Sequence, residues 1–221
     1  MDEPQRIQTP KVVLAQTVDR KSSEQKSSTN DDGSSRSILN APYRRSGPSG
    51  YEFCDWQGVR NAERVAEVLD AQLSPENPCP RFPVYLTGNA GRGKTGLAAV
   101  LYRIAKRPIW RRADSFLLDL SMGRGDDTYR SEIRKASEAS LLVLDDLGVR
   151  KPSEGMFHLL FDVLELRKSK PTIITSNKTL DELCEVYTDG RIYSRLAAGT
   201  VMTLIGSDRR ISDDGVIVYQ I

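Results

Sequence analysis

Histidine occurs once in the 221 residues, at His158, and the three cysteines (Cys54, Cys79, Cys184) stand apart with no C-x-x-C pair. A Cys/His zinc centre has no ligand set to draw on. Dispersed cysteines suit a reduced, cytoplasmic chain better than a disulfide framework. No segment approaches 18 consecutive apolar residues and the N-terminus has no apolar signal-peptide core, so the expectation is a soluble intracellular protein without a membrane span. An excess of one charge is missing too: 32 Lys and Arg against 30 Asp and Glu leave +2. That excludes a global basic field announcing nucleic acid and leaves only a local patch. Residues 21–36 offer no apolar side chain to bury, so nothing there offsets the entropy of ordering. Pro42, Gly47, Pro48 and Gly50 continue in the same vein. Residues 1–50 therefore read as a disordered tail or linker, and residues 51–221 as one folded domain. The apolar cluster Val12-Val13-Leu14-Ala15 reads as a stray run in that tail, with a segment that folds on a partner as the alternative.

What is present centres on residues 84–95. The strand-like run Val84-Tyr85-Leu86-Thr87 leads into Gly88, and Gly88-x4-Gly93-Lys94-Thr95 matches a phosphate-binding loop. Leu97, Val100, Leu101 and Ile104 then fall on one helical face, so the motif has its strand before and its helix after. Glycines let backbone N–H groups close around a phosphate without a Cβ in the way, and the helix N-terminus adds partial positive charge. The loop residues Gly88, Asn89, Ala90, Gly91, Arg92, Gly93, Lys94, Thr95 and Gly96 are the expected nucleotide contacts. Lys94 would reach the β- and γ-phosphates and the Thr95 hydroxyl would bind Mg²⁺. A second motif, Leu141-Leu142-Val143-Leu144-Asp145-Asp146, has four apolar residues suited to a central buried strand. Its two carboxylates come at the strand's carboxyl end, where open α/β sheets bind ligands. Asp145 would hold Mg²⁺, directly or through water, and Asp146 could polarise the water that attacks the γ-phosphate.

The remaining pattern fills in an α/β chain. Residues 59–73 carry Ala62, Val65, Ala66, Leu69 and Leu73 at helical spacing, and the proline cluster from Pro75 to Pro83 ends that helix. Pro108-Ile109-Trp110 reads as the start of a strand, whereas Phe116–Leu120 fits helix or strand. In the polar stretch 122–135, Arg124, Tyr129, Arg130, Arg134 and Lys135 make a basic strip with an aromatic, which suits single-stranded DNA or simply a solvated face. Residues 155–167 read as a core-facing helix on which His158 is structural or at the surface. The strand from Pro171 ends at Asn177, placed either to hold the attacking water or to cap the helix Leu180–Val186. Arg191 and Arg195 share a helical face four residues apart, as a solvated or salt-bridged pair or as the source of an arginine finger.

The motif order GNAGRGKTGLA, LLVLDDLG, PTIITSN, RIYSRL and LIGSDRR resembles the DnaC/IstB family of AAA+ ATPases over about residues 51–211. The resemblance implies Asn177 as sensor 1, Arg195 as an arginine finger acting in trans within a homo-oligomer, and Arg210 as a phosphate contact in cis. It places residues 122–135 at an insertion that lines a single-stranded DNA path in helicase loaders. It implies a three-layer P-loop sandwich with a mostly parallel, five-stranded sheet, and ATP and Mg²⁺ as cofactors. The implied function is loading of a hexameric replicative helicase. A transposition helper of the IstB kind, partnered by a transposase, is the alternative, and a nucleotide-switched adaptor with little hydrolysis is another. A small-molecule kinase lacks an evident acceptor site. Departures from the family pattern are Asp146 in place of the usual Glu, one methylene shorter and suited to slow hydrolysis, and an N-terminal region without a zinc pattern or a folded helicase-binding domain. Little room remains after Arg210 for a helical lid; Val216–Ile221 supplies at most one more strand.

Overall fold

In the computed structural model the residues described are 13–14, 37–73, 81–123, 126–187, 190–206 and 208. In chain order the elements are β1 (Val13–Leu14), α1 (Ala62–Leu73), β2 (Val84–Thr87), α2 (Lys94–Ile104), β3 (Pro108–Arg112), α3 (Ala113–Met122) and α4 (Asp127–Glu138). They continue with β4 (Leu141–Asp145), α5 (Glu154–Leu166), β5 (Thr172–Thr175), α6 (Leu180–Tyr187), α7 (Gly190–Ala197) and β6 (Thr200–Thr203). The strands lie in the order β1-β6-β2-β5-β4-β3, and every pair is parallel. Five of them form the expected sheet, and the two-residue β1 adds a sixth at its edge.

Alternation along the strands divides the apolar residues between two cores. Tyr85, Leu142, Leu144 and Ile174 face α3 and α5–α7. Val84, Leu86, Val143 and Ile173 face α1 and α2. Central strands buried on both sides explain the continuous apolar runs of β2, β4 and β5, each buried along its length. The outcome is helix, sheet, helix: three layers. Parallel strands joined by helices send every strand's carboxyl end to one edge of the sheet and bring helix C-termini to the other.

The packed part of the chain reaches back before residue 51. Residues 37–50 form a strap across α1 and α2. Ser37 Oγ donates to Asp70 at 2.6 Å, Trp56 Nε1 donates to the Ile38 carbonyl at 3.1 Å, and Ile38 and Leu39 pack on the α1–α2 core. The Tyr43 hydroxyl accepts from Trp56 N–H, and the Arg103 guanidinium lies 4.1 Å from the centre of the Tyr43 ring. Proline and glycine mark irregular backbone here, while a few apolar side chains provide enough burial to order it. Val13 and Leu14, from the cluster read as a stray run, pair with Met202 and Thr203 of β6. The ambiguous segment at Phe116–Leu120 is helical, with Phe116, Leu117 and Leu120 buried. The last residue described is 208, so the expectations of little room for a lid and of one more strand at Val216–Ile221 fall outside the described residues.

Candidate nucleotide site

The loop after β2 is shaped by close backbone approaches. Gly88 has φ +136°, and a Cβ there would stand 2.3 Å from the Leu204 carbonyl oxygen. Gly91, at φ +73°, faces Asp208, whose Oδ1 would be 1.6 Å from an added Cβ. Gly93 adopts a left-handed conformation and opens α2, with its carbonyl accepting from Leu97 N–H at 2.9 Å. No L side chain sits comfortably at these three positions. Lys94, the first residue of α2, is buried, and its Nζ donates to the carbonyls of Gly88 (2.6 Å) and Asn89 (2.8 Å). Its ammonium is thereby held over the loop. Arg92 Nη1 is buried without a hydrogen-bond partner among the described residues, a free donor beside the same loop.

Two motifs fifty residues apart meet at Asp145. The Thr95 hydroxyl donates to Asp145 Oδ1 at 3.1 Å across the carboxyl end of β5, the strand between β2 and β4. A residue the sequence reading passed over holds the other side: Thr175, fully buried at the end of β5, donates to the same Oδ1 at 2.6 Å. The Thr175 oxygen in turn accepts from Asp146 N–H at 2.9 Å, fixing a residue whose φ of +60° is otherwise unfavourable. Its only sequence signal was a threonine interrupting an apolar strand. Burial raises the Asp145 pKa above the usual carboxylate value; the Thr175 hydrogen bond opposes that shift and the Asp146 charge adds to it. Arg112, at the end of β3, brings Nη2 to 3.7 Å from Asp146 Oδ2 and was also not anticipated.

The donor set suits a nucleotide with Mg²⁺. A hydroxyl and a carboxylate within hydrogen-bond distance are hard oxygen ligands, and Mg²⁺ takes one or two of these together with substrate phosphates. No group of three or more His, Cys, Asp or Glu side chains able to hold a metal occurs among the described residues, so a separate all-protein cage has no donors there.

The other candidates divide. Asn177 is exposed, two residues beyond Thr175 on the same strand exit. It does not cap α6, because Thr179 and Glu182 form a reciprocal capping box there: Thr179 N–H to Glu182 Oε2 at 2.7 Å, Glu182 N–H to Thr179 Oγ1 at 3.2 Å. Arg195 lies in α7, whose C-terminus leads into β6, and it ion-pairs with Glu165 in the last turn of α5. Both positions are at the edge of the sheet where strands begin, whereas Lys94 follows a strand end. A four-residue strand alone separates the two edges by ~13 Å. Arg195 therefore does not join its own chain's nucleotide residues. Arg210 and Arg124 lie outside the described residues.

The basic strip is largely self-neutralised. Glu132 pairs with both Arg111 and Lys135 at 2.7 Å, and Arg130 faces Asp127 at 3.5 Å. Tyr129 packs half-buried on the core, so Arg134 alone of the strip's described residues is an exposed cation without such a pair. His158 is exposed on α5, away from these groups.

Comparison with known proteins agrees with this geometry. The family model of IstB-like ATP binding proteins matches residues 81–198. A protein of Mycobacterium tuberculosis (strain H37Rv), named as an ATP-binding protein in an insertion sequence, is 31% identical over 101 residues, 43% of this chain. The match spans only 40% of that relative's length. The solved DnaC helicase loader superposes with a TM-score of 0.58 at 19% identity, covering 71% of this chain and 99% of that one. DnaI gives 0.56 at 21% identity over 76% of this chain and 93% of its own, and AMPPCP-bound DnaA from Aquifex aeolicus gives 0.58 at 21% over 72% and 54%. At such identities the likeness shows the fold, that of a P-loop AAA+ domain.

Proposed function

The chain belongs to the IstB-like ATP-binding proteins, and from that premise we propose that it is a slow ATPase which delivers a DNA-processing partner, a hexameric replicative helicase, onto single-stranded DNA. The observation that carries the ATPase reading is the meeting of Thr95 and Asp145 at 3.1 Å beneath a buried Lys94. Lys94 and the loop from Gly88 to Gly96 bind the phosphates. Thr95 and Asp145 would hold Mg²⁺, which when bound would neutralise phosphate charge. Asp146, set by Thr175, accepts a proton from the attacking water, and Asn177 orients that water. Asp208 against Gly91 brings the final motif to the loop, which supports a phosphate contact for Arg210.

Since Arg195 lies at the far edge of the sheet from its own Lys94, its action on a γ-phosphate requires a second copy. The turnover of a ring is then a property of the assembly. A cytoplasmic location fits the absence, among the described residues, of any helix long and apolar enough to cross a membrane. The second reading, a transposition helper with a transposase partner, is favoured by the insertion-sequence relative.

The test is a mixing experiment followed by a capture. Arg195→Ala and Asp146→Asn should each bind ATP and turn over poorly, and their mixture should regain activity because each supplies what its neighbour lacks. No recovery would remove the trans role. Asp146→Asn held in ATP should then retain a purified hexameric helicase; retention of a transposase instead moves the chain to the second reading. Failure to retain either, with no turnover by the wild type in the presence of DNA, leaves the adaptor.

A further inference from the structure

Three buried hydroxyls, those of Tyr85, Thr87 and Ser176, meet behind Asn177. Thr87 is the last residue of β2 and Ser176 the first after β5; alternation along β2 puts Tyr85 and Thr87 on one face. Thr87 is 3% exposed and the other two are fully buried. Tyr85 Oη and Thr87 Oγ1 both donate to the Lys178 carbonyl, at 2.8 and 2.6 Å, which occupies both of its lone pairs. Ser176 Oγ accepts from Lys178 N–H at 3.1 Å and donates to the Leu147 carbonyl at 2.7 Å. Main-chain bonds continue the ties, Ser176 N–H to the Leu86 carbonyl at 2.9 Å and Leu204 N–H to the Thr87 carbonyl at 2.8 Å.

Buried main-chain groups need partners, and hydroxyls beneath a turn often do nothing more than supply them. Here the arrangement is more selective. Asn177 is exposed, so water reaches this turn and could satisfy part of it. The bonds come instead from side chains rooted at the ends of β2 and β5, which do not exchange as water does. They also bracket a single residue: Ser176 and Lys178 are held on either side of Asn177, whose side chain is thereby aimed by its backbone. The same bonds reach the motifs beside it. Thr87 leads into Gly88, whose carbonyl accepts from Lys94 Nζ, and Leu147 follows Asp146.

We infer that Tyr85, Thr87 and Ser176 are positioning residues for Asn177, fixing its amide relative to Asp146 and to the phosphate loop. The inference rests on the reading of Asn177 as the residue that orients the attacking water. Removing the donors leaves the Lys178 carbonyl to mobile water and loosens the turn that carries Asn177. A displacement of about 1 Å in an orienting group costs up to ~100-fold in rate. The phosphates are bound by the loop and Lys94 and not by these hydroxyls, so the loss falls on turnover and leaves affinity for ATP in place.

The experiment measures ATP turnover by the full-length protein with single-stranded DNA present, and ATP affinity by equilibrium titration. Thr87→Val keeps the shape of the side chain, and together with Tyr85→Phe it leaves the Lys178 carbonyl without either donor. This pair should lower kcat on the order of tenfold and leave the Kd for ATP within about twofold. Thr87→Ser beside Tyr85→Phe should recover most of the rate, since one hydroxyl is back. In an Asn177→Ala background the pair should change turnover by less than about twofold, because the residue it aims is gone. Ser176→Ala also frees the Leu147 carbonyl and should keep part of its effect in that background, through Asp146. A fall that multiplies with that of Asn177→Ala, that serine does not reverse, or that is matched by weaker ATP binding overturns the inference and leaves the hydroxyls a structural role. A wild type without turnover, or an Asn177→Ala protein as fast as the wild type, defeats the reading of Asn177 and the inference with it. That pattern is distinct from the first, in which Asn177→Ala is slow.

Discussion

Thr175→Val tests whether the buried hydroxyl organises the candidate magnesium and water-activating residues. Valine matches threonine in shape but removes both hydrogen bonds, the 2.6 Å donation to Asp145 and the 2.9 Å acceptance from Asp146 N–H. A hydrogen bond to a charged group contributes roughly 1.5–3 kcal/mol, and a buried donor left without an acceptor costs about 1–3 kcal/mol. Burial already raises the Asp145 pKa and losing the Thr175 donor raises it further, so the carboxyl takes up a proton more readily and part of this loss is offset. The net expectation is a loss of about 2–3 kcal/mol, or ~5–10 °C in Tm for a domain of this size. Urea unfolding followed by circular dichroism at pH 7 measures it, with m unchanged. Thr175→Ser keeps the hydroxyl and should recover most of the loss. A loss below about 0.5 kcal/mol, or serine faring no better than valine, would refute the coupling. ATP turnover should fall with Val and return with Ser, since Asp146 loses the anchor for its positive φ.

Asp145→Asn should stabilise the protein without nucleotide while removing Mg²⁺-dependent turnover. The wild-type carboxyl holds its proton to higher pH in the folded state than in the unfolded one, so stability is lost as pH rises from the ordinary carboxylate range through the raised value. The variant should flatten that dependence, and a gain of about 1 kcal/mol would appear as ~2–4 °C in Tm. No gain would mean the carboxylate is better solvated than its burial indicates. Arg112→Ala removes an ion pair whose members are 68% and 36% exposed, so unfolding should shift by less than about 0.5 kcal/mol. Turnover should rise two- to threefold as Asp146 loses a competing cation; a fall would instead assign Arg112 to the reacting charge. Arg167→Ala should cost about 3–5 kcal/mol in urea unfolding. Its guanidinium is 1% exposed and donates to the carbonyls of Ala136, Ala139 and Pro171 and to the Thr172 hydroxyl, joining the end of α4 to β5. A loss under about 1 kcal/mol would show that water replaces it.

Local pattern made the frame of the candidate nucleotide site legible. A strand buried on both faces must be apolar throughout, so β2, β4 and β5 announced themselves, and the glycines after β2 are required by backbone approaches that sequence spacing already encodes. β6 gave no such signal, because only Met202 of Thr200–Thr203 is buried, and four residues are too few to define a period. The strap was misread for the opposite reason: its composition is that of a linker, and its order comes from Asp70, Trp56 and Arg103, which lie outside it. Thr175 could be named as a residue but not as a ligand holder, since its partner is set by the β4–β5 register, in which Leu144 faces Ile174. Arg112 reaches Asp146 only because β3 lies beside β4.

The position of Arg195 draws these strands together. A side chain that is 43% exposed, paired with Glu165 and seated over Phe161, is satisfied within a single chain. To act on a neighbour's phosphate it must leave that carboxylate, and an exposed pair costs at most about 1 kcal/mol to break. That is small beside the gain from a charge-assisted contact to phosphate. Glu165 therefore holds the arginine in one orientation without locking it. Glu165→Gln should leave ATP affinity unchanged and lower the protein concentration at which turnover becomes cooperative, because the competitor for Arg195 is gone. A turnover curve that does not move with concentration in either protein would show that Arg195 serves the α5–α7 contact and no neighbouring site.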